Sequence, residues 1–324
     1  MLYPFTFQPI FKERIWGGRN LERLYGKKLP ASIPVGESWE ISDRPEDESV
    51  IANGPFAGKS LRWLMENHRE ALLGSAKPSP SGRFPLLIKI LDAEERLSLQ
   101  VHPPASKAGE LGGEPKTEMW FVASATADAD LFVGLKRGTT RAEFEKRIQD
   151  GTVAECFHQI GVKKGDAMFL PSGRVHALGA GNVIFEIQQN SDTTYRVFDW
   201  NRVDSNGKPR DLHVAKSMAS IDFADIEPNL VCGNVVEANG VKTRQLVRDP
   251  LFSVDLLETV ALEKFLLQPS TMQILAVLDG ELAVEENGHH LTLSAGQFCL
   301  VPASCRSVFL HAAKPVSFLK IIAG

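Results

Sequence analysis

The segment from Leu97 to Pro103 alternates strictly between apolar and polar residues, and this pattern restricts it to a β-strand. One side of the strand carries Leu97, Leu99 and Val101, and the other carries Ser98, Gln100 and His102. A face exposed to water usually contains Lys, Glu or Asp, and this polar face contains none of them. Because an amide oxygen and an imidazole can both ligate a metal, the segment predicts a strand whose polar face lines a site.

Two further segments carry side chains that could complete this site. In the strand predicted at 116–122, Lys116 and Glu118 share one face. The segment 165–176 ends at His176 after a Gly and Pro-rich turn. A buried Glu118 without a partner would cost several kcal/mol, so it requires either Lys116 or a metal beside it. The three segments together offer one possible metal site made of Gln100, His102, Glu118 and His176.

Short strands with regular turn signals dominate the rest of the chain, particularly after about Val235. The spacing from Gly165 to Pro171 recurs from Gly296 to Pro302, but no His follows the second copy. We therefore predict a mainly β fold with two jelly-roll barrels and a few short helices, the second barrel lacking metal ligands. The expected domains are 1–235, catalytic, and 236–324, degenerate. One helix is expected to begin in 208–213, with Pro209 in its first turn.

Composition limits the partners and the compartment. The net charge of -4 argues against nucleic acid, and no apolar run approaches the ~18 residues of a membrane span. The N-terminus lacks the pattern of a signal peptide. The four cysteines form no CxxC pair, and we expect them to be buried free thiols: Cys156, Cys232, Cys299 and Cys305. These features predict a cytoplasmic monomer or weak homo-oligomer that binds neither nucleic acid nor membrane.

The spacing Gly-x5-Pro-x-Gly-x2-His at 165–176 resembles the second motif of the cupin superfamily, whose small β-barrels hold a metal inside. Three other segments narrow the resemblance: LSLQVHPP at 97–104, PKTEMWFV at 115–122 and FEIQQNSDTTYRVFDWNR at 185–202. In combination they are similar to the type I mannose-6-phosphate isomerase (phosphomannose isomerase) family in its short bacterial form. The resemblance extends from about Phe5 to the C-terminus.

This resemblance implies a metal-dependent aldose-ketose isomerase that interconverts D-mannose 6-phosphate and D-fructose 6-phosphate through an enediol. It implies one Zn²⁺ per chain in the first barrel, held by Gln100, His102, Glu118 and His176. It places three catalytic residues around the sugar phosphate, Lys116, Asp192 and Arg196, and sets Ser98 at the phosphate. The Gln in place of the first cupin His, and the long gap before Glu118, are departures that the isomerase family shares.

Strand patterns alone leave several roles open. Glu186 lies on the face opposite Val183 and Phe185, so it either binds substrate in the pocket or makes a structural hydrogen bond. An inward Arg196 needs an anion, which could be Asp192, Glu186 or a substrate phosphate. Lys89 interrupts an apolar strand and faces either the pocket or an edge.

Two other functions also stay open at this point. One is a different cupin enzyme, such as an iron dioxygenase, although Gln100 at a ligand position and the two phosphate-capable cations Lys116 and Arg196 disfavour it. The other is a sugar-phosphate sensor without activity, which would bind ligand but would not exchange the C2 proton with solvent. The identity of the bound metal distinguishes an iron dioxygenase from the isomerase, and exchange of the C2 proton distinguishes an inactive sensor from it.

Overall fold

The computed structural model describes residues 1–203 and 207–324 of the chain. The strands of its first part, numbered in chain order, are β1 (Ile10–Gly18), β2 (Val35–Ile41), β3 (Asp43–Arg44), β4 (Asp47–Glu48), β5 (Leu86–Ala93), β6 (Leu99–Val101), β7 (Glu118–Ala125), β8 (Asp130–Leu135), β9 (Phe157–Gly161), β10 (Ala167–Leu170), β11 (His176–Leu178), β12 (Asn182–Gln189) and β13 (Tyr195–Phe198). They form a six-stranded sheet in the order β1-β2-β5-β12-β7-β10, a five-stranded sheet in the order β13-β6-β11-β8-β9, and the small pair β3-β4.

The two larger sheets face each other across a common apolar core. Strands β5, β7 and β12 contribute Leu91, Trp120 and Ile184 from one sheet, and strands β8 and β11 contribute Val133 and Leu178 from the other. Strand β6 therefore lies in one layer and β7 in the opposite layer, so that their inward side chains point toward each other.

The second part repeats this two-layer arrangement. Its strands are β14 (Val235–Ala238), β15 (Val241–Arg248), β16 (Phe252–Thr259), β17 (Leu262–Leu267), β18 (Gln273–Asp279), β19 (Glu281–Glu286), β20 (His289–Ser294), β21 (Phe298–Val301), β22 (Val308–Ala312) and β23 (Val316–Ala323). The sheets have the orders β14-β15-β16-β23-β18-β21 and β17-β22-β19-β20, and both contribute to one core. The predicted boundary after residue 235 lies at the first strand of this part, and the division into two domains stays a prediction.

A further core joins the two parts, because their six-stranded sheets pack against each other. Phe185 of β12 stacks on Phe298 of β21 at 5.3 Å between ring centroids. Phe5 and Leu300 exchange two backbone hydrogen bonds of 2.8 Å across the junction. Every residue of β5 is buried. Ile88 and Ile90 point outward into this joint core, whereas Leu91 and Ala93 point inward into the core of the first part. The continuous apolar run of β5 therefore reflects packing on both faces.

Short helices cover the margins of the sheets: α1 (Asn20–Tyr25), α2 (Leu61–Asn67), α3 (Arg69–Leu73), α4 (Ala105–Ala108), α5 (Arg141–Gln149), α6 (Val214–Ser220) and a 3₁₀ turn at Val153–Cys156. The prediction of a helix starting near Pro209 is wrong, because α6 begins only at Val214. The backbone before it is instead bound to Arg196 of β13: the His213 N–H donates to the Arg196 carbonyl at 2.8 Å. The Asp211 carbonyl accepts from the Arg196 guanidinium at 2.7 Å.

All four cysteines are free thiols, as expected, but only three are buried. Cys232 is exposed, which corrects the prediction, because it lies in the connection between the two parts rather than in a strand. Among the residues described, no helix is both long and apolar enough to cross a membrane.

Candidate metal centre and substrate cavity

Strand register brings the four predicted metal ligands together between the two layers of the first part. Gln100 on β6 pairs directly with His176 on β11. His102 follows β6, and Glu118 opens β7 in the opposite sheet. The ligand atoms of His102, Glu118 and His176 all lie within 4.8 Å of one another, and all three residues are buried. This group could therefore hold a metal ion.

The glycine-containing motif fixes the position of His176 relative to His102. Gly173 has φ = 98°, a left-handed conformation that favours glycine. Its N–H donates to the His102 carbonyl at 2.9 Å and ties the loop before β11 to the end of β6. The local reason for the Pro-x-Gly-x2-His pattern is thus a turn that joins the two histidine-bearing strands.

Both imidazoles are oriented so that Nε2 faces Glu118. Nδ1 of His102 lies 2.7 Å from the Thr193 carbonyl, and Nδ1 of His176 lies 2.9 Å from the Arg174 carbonyl. A carbonyl only accepts, so each Nδ1 carries the proton and each neutral ring presents an Nε2 lone pair. Carbonyl partners of this kind orient metal-ligating histidines in proteins.

The lone pairs point at an anion. Nε2 of His176 is 3.3 Å from Oε1 of Glu118, and Nε2 of His102 is 3.6 Å from Oε2. Neither oxygen accepts a well-formed hydrogen bond from any described residue, although Lys116 Nζ lies 2.8 Å from Oε2. Two lone pairs facing a buried carboxylate repel it; Lys116 Nζ, 3.4 Å from Nε2 of His102, offsets part of this repulsion, and a divalent cation between the three ligands would remove it. The donor set of two imidazole nitrogens and one carboxylate fits a metal such as zinc.

The protonation states also suit metal binding. Burial, assisted by the Lys116 charge, lowers the pKa of His102 to about 4, and burial lowers the pKa of His176. Burial by itself would raise the pKa of Glu118, but the Lys116 ammonium holds it well below its ordinary value. At neutral pH the imidazoles are neutral and the carboxylate is ionised, so the ligands need not lose protons when a metal binds.

Gln100 lies beside this group rather than apart from it. Its Nε2 atom is 3.2 Å from Nε2 of His176. A half-turn of the amide would place Oε1 in the same position, where it could serve as a fourth ligand. This role of Gln100 stays a prediction.

In the metal-free protein we expect the stability to fall on acidification. Because burial lowers the pKa of His102 from 6.5 in the unfolded chain to about 4 in the folded one, only the unfolded chain binds the proton between these pH values. The free energy of unfolding should decrease by about 2 to 3 kcal/mol across this interval, and Glu118 adds a loss of the same sign at lower pH. Urea denaturation in the presence of chelator, at pH values from about 7.5 to about 4.5, measures how the free energy of unfolding changes with pH. The variant His102→Gln should lack this part of the slope, and equal slopes would refute the assignment.

Above the histidine–carboxylate group lies a cavity of about 430 Å³. All the predicted catalytic and substrate-binding residues line it: Ser98, Lys116, Glu186, Asp192 and Arg196, together with Gln100. Lys116 connects the two regions, because it lines the cavity and also pairs with Glu118. Burial lowers the pKa of Lys116, but Glu118 outweighs burial and raises it above the ordinary value, so this lysine stays protonated.

Arg196 faces the cavity, and no carboxylate of the described residues is paired with it. It lies opposite Gln100 in the register of β13 and β6, and its NH1 group donates to the Asp211 carbonyl. Its Nε is buried and has no hydrogen-bond partner among the residues described. Neither Asp192, which is exposed, nor Glu186 forms an ion pair with it in the described part of the chain. Neither of the two carboxylates considered for Arg196 is therefore paired with it, and its binding of a substrate phosphate stays a prediction.

The sequence patterns did not single out several of the cavity residues. Arg14 and Glu37 come from β1 and β2, and Arg210 comes from the segment before α6. Lys89, whose direction the sequence left open, faces the cavity and lies 3.2 Å from Glu186. One sequence feature could have identified Glu37: it is two residues from Trp39 on β2, so the two side chains share the inward face of that strand.

Asp199 supports the cationic end of the cavity from outside its lining. It accepts hydrogen bonds from Arg210 at 2.7 Å and from Arg202, and its side chain is only 5% exposed. One carboxylate therefore faces two arginines, and Arg196, which pairs with no carboxylate in 1–203 or 207–324, adds a third positive charge. This end of the cavity carries an excess of positive charge that favours an anion.

Comparisons with known proteins agree with these features. Residues 5–118 match the family model described as phosphomannose isomerase type I, catalytic domain. The chain is 37% identical over 308 residues to mannose-6-phosphate isomerase ManA of Bacillus subtilis, covering 92% of this chain and 93% of the relative. It is 35% identical over 308 residues to a mannose-6-phosphate isomerase of Streptococcus mutans, covering 95% of each.

A solved structure of mannose 6-phosphate isomerase from Bacillus subtilis superposes on the whole chain. The TM-score is 0.89 at 33% identity, with 100% of both chains covered. This likeness confirms the mainly β fold and the predicted family, while the closure of each two-layer unit into a barrel stays a prediction. The chain belongs to the type I phosphomannose isomerase family.

Proposed function

We propose that this chain is a metal-dependent isomerase that interconverts D-mannose 6-phosphate and D-fructose 6-phosphate through an enediol intermediate. Family membership supports the reaction. The observation that carries the proposal is the group of His102, Glu118 and His176, joined through Lys116 to a cavity that also contains a cationic region at Arg196 and Arg210. The metal-ligand group suits the reacting carbons, and the cationic region suits a phosphate.

The cofactor we propose is one Zn²⁺ per chain, held by His102, Glu118 and His176 with Gln100 as the fourth ligand. When bound, it would polarise the substrate oxygens on C1 and C2 and stabilise the negative charge that develops on them. The identity of the metal as zinc rests on the nitrogen and oxygen ligand set, which other divalent metals also tolerate.

We assign the phosphate end to Ser98, Arg196 and Arg210. Arg210 donates to Asp199 through Nε and NH2. Its NH1 group has no acceptor among the described residues, so we assign it to a phosphate oxygen. Arg196 supplies a buried Nε without a partner. Guanidinium groups match phosphate oxygens in geometry as well as in charge.

For the proton transfer we propose that Lys116 acts as a cation and acid rather than as a base. Glu118 holds it protonated, and it lines the cavity next to the metal ligands. The base is then one of the cavity carboxylates, Asp192 or Glu186, within reach of the migrating proton. Asp192 stays the catalytic candidate from the sequence, and Glu186 the substrate-binding one.

We expect Arg196→Ala to raise the KM for mannose 6-phosphate by about tenfold to a hundredfold, with a smaller change in kcat. A charged hydrogen bond to phosphate contributes about 1.5 to 3 kcal/mol, which corresponds to that range. Steady-state kinetics on the metal-loaded enzyme measure it, with Arg248→Ala of β15, which pairs with Asp255 away from the cavity, as the control. A fall in kcat at unchanged KM would instead place Arg196 at the reacting carbons.

The remaining expectations are also proposals: a small-molecule sugar phosphate as the partner, a monomer or weak homo-oligomer, and a cytoplasmic location. The activity itself is tested by incubating the protein with mannose 6-phosphate in deuterated water and following the C2 proton by NMR. Loss of the C2 proton signal together with formation of fructose 6-phosphate supports an isomerase. Binding without exchange would indicate a sensor, and activity that requires iron and oxygen would indicate another cupin chemistry.

A further inference from the structure

The inward face of the six-stranded sheet carries a row of interacting side chains that extends across five neighbouring strands. In strand order they are Arg14 of β1, Glu37 of β2, Lys89 of β5, Glu186 of β12 and Trp120 of β7. All five line the cavity, and the charges of the first four alternate along the row. The row ends beside the metal group, by which we mean His102, Glu118 and His176, because the Trp120 ring packs edge-on against the His176 ring at 5.3 Å between ring centroids.

Lys89 lies between two carboxylates and is 4% exposed. Its Nζ atom is 3.2 Å from Oε2 of Glu186 and 3.7 Å from Oε2 of Glu37. The ring of Trp39, on the same side as Glu37, is 4.9 Å from Nζ and adds a cation–π attraction. The ammonium therefore shares its attraction between Glu186 on one side and Glu37 with Trp39 on the other.

Glu37 is fixed in place as an anion. Its Oε1 accepts from Nε of Arg14 and its Oε2 accepts from the Trp39 indole, both at 2.6 Å. Burial opposes ionisation, but Lys89 and Arg14 together with these hydrogen bonds lower the pKa of Glu37 to about 2. The position of Glu37 is thus fixed by Arg14 and Trp39, and its charge is stabilised by Lys89 as well as by Arg14.

Glu186 has one oxygen bound and one available. Its Oε1 accepts from the Trp120 indole at 3.0 Å. Its Oε2 is buried and lies 3.2 Å from Nζ of Lys89, which is within hydrogen-bond distance, but this pair lacks hydrogen-bond geometry and no other described residue donates to Oε2. A buried acceptor left in this state is costly unless a ligand completes it.

We propose that Glu37 is a positioning residue that draws Lys89 away from Glu186 and so keeps Oε2 of Glu186 available to the substrate. Without the charge on Glu37, Lys89 would move onto Glu186 and occupy that oxygen with a short charge-assisted hydrogen bond. The inference rests on the proposed function, in which Glu186 contacts the sugar. It adds a residue from β2 that touches neither the metal group nor Glu186.

Glu37→Gln tests this proposal, because it removes the charge while keeping the size and a hydrogen-bonding group. We expect kcat/KM for mannose 6-phosphate to fall by about tenfold or more, at unchanged metal content. In a crystal structure of the variant, Nζ of Lys89 should approach Oε2 of Glu186 to about 2.8 Å. Glu37→Asp, which keeps the charge, should restore part of the activity, and it serves as the test variant if Glu37→Gln does not fold.

Glu40→Gln is the matched control. Glu40 lies on the same strand, is 6% exposed and pairs with Lys27 at 2.7 Å, but on the face away from the cavity. The Glu40→Gln variant should lose about as much thermal stability as Glu37→Gln but keep wild-type kinetics. The proposal is wrong if Lys89 stays in place in Glu37→Gln, or if that variant keeps its activity. Should the wild-type protein prove inactive, the position of Lys89 in the variant still decides the inference, independently of the reaction.

Discussion

Replacing His102 with Ala should abolish metal binding and lower turnover by about a thousandfold or more, since a bound metal contributes several kcal/mol to stabilising the transition state. The imidazole is one of only three nitrogen or carboxylate donors in the group, and its Nδ1 is already committed to the Thr193 carbonyl. Its loss leaves Glu118, His176 and the weaker amide ligand Gln100 beside the Lys116 charge, which repels a cation. Elemental analysis after gel filtration and a coupled assay measure the two effects.

His158→Ala is the appropriate control, because His158 lies on β9 of the same part of the fold and outside the metal group. It should retain both metal and activity. If His102→Ala bound zinc stoichiometrically, or turned over at the wild-type rate, the proposed site would be wrong.

Truncation after residue 235 should leave a chain that cannot fold into an active enzyme. The outer face of the six-stranded sheet would lose the large apolar side chains that cover it from the second part, Phe252, Met272, Ile274, Phe298, Leu300, Leu319 and Ile321. Each such side chain contributes about 1.5 to 3 kcal/mol when buried, and together they match or exceed the total stability of about 5 to 15 kcal/mol of an ordinary domain. We expect an aggregated or molten product by circular dichroism and gel filtration.

A full-length Phe298→Ala variant separates packing from the mere presence of the second part. Loss of the Phe298 ring should lower the free energy of unfolding by about 3 to 5 kcal/mol, because the ring stacks on Phe185 of β12, the strand that carries Glu186. The measurement is a lower Tm. A folded, active chain ending at residue 235 would show instead that the two parts are independent.

The sequence was informative where local patterns determine the result. Alternation from Leu97 to His102 sets the inward face of β6, and the turn that contains Gly173 requires a glycine because of its φ of 98°. Lys116 and Glu118 are two residues apart on an extended segment, so they share a side whatever the rest of the fold does. These residues could be placed in one site without knowledge of the sheet order.

Other features depend on which strands become neighbours. Glu37, Lys89 and Glu186 are far apart in sequence, and only the order β2-β5-β12 makes them adjacent. The start of α6 was misplaced because a local signal at Pro209 was overridden by hydrogen bonds to Arg196 on β13. The joint core was also not predictable, since an apolar run such as β5 does not reveal what covers its second face.

The most direct test of the proposed reaction is turnover of mannose 6-phosphate to fructose 6-phosphate before metal removal, after removal, and after zinc is restored. We expect activity that disappears with chelator and returns with zinc. Absence of turnover with zinc and with every other divalent metal tried, in a protein shown to be folded, would contradict an isomerase built on His102, Glu118 and His176.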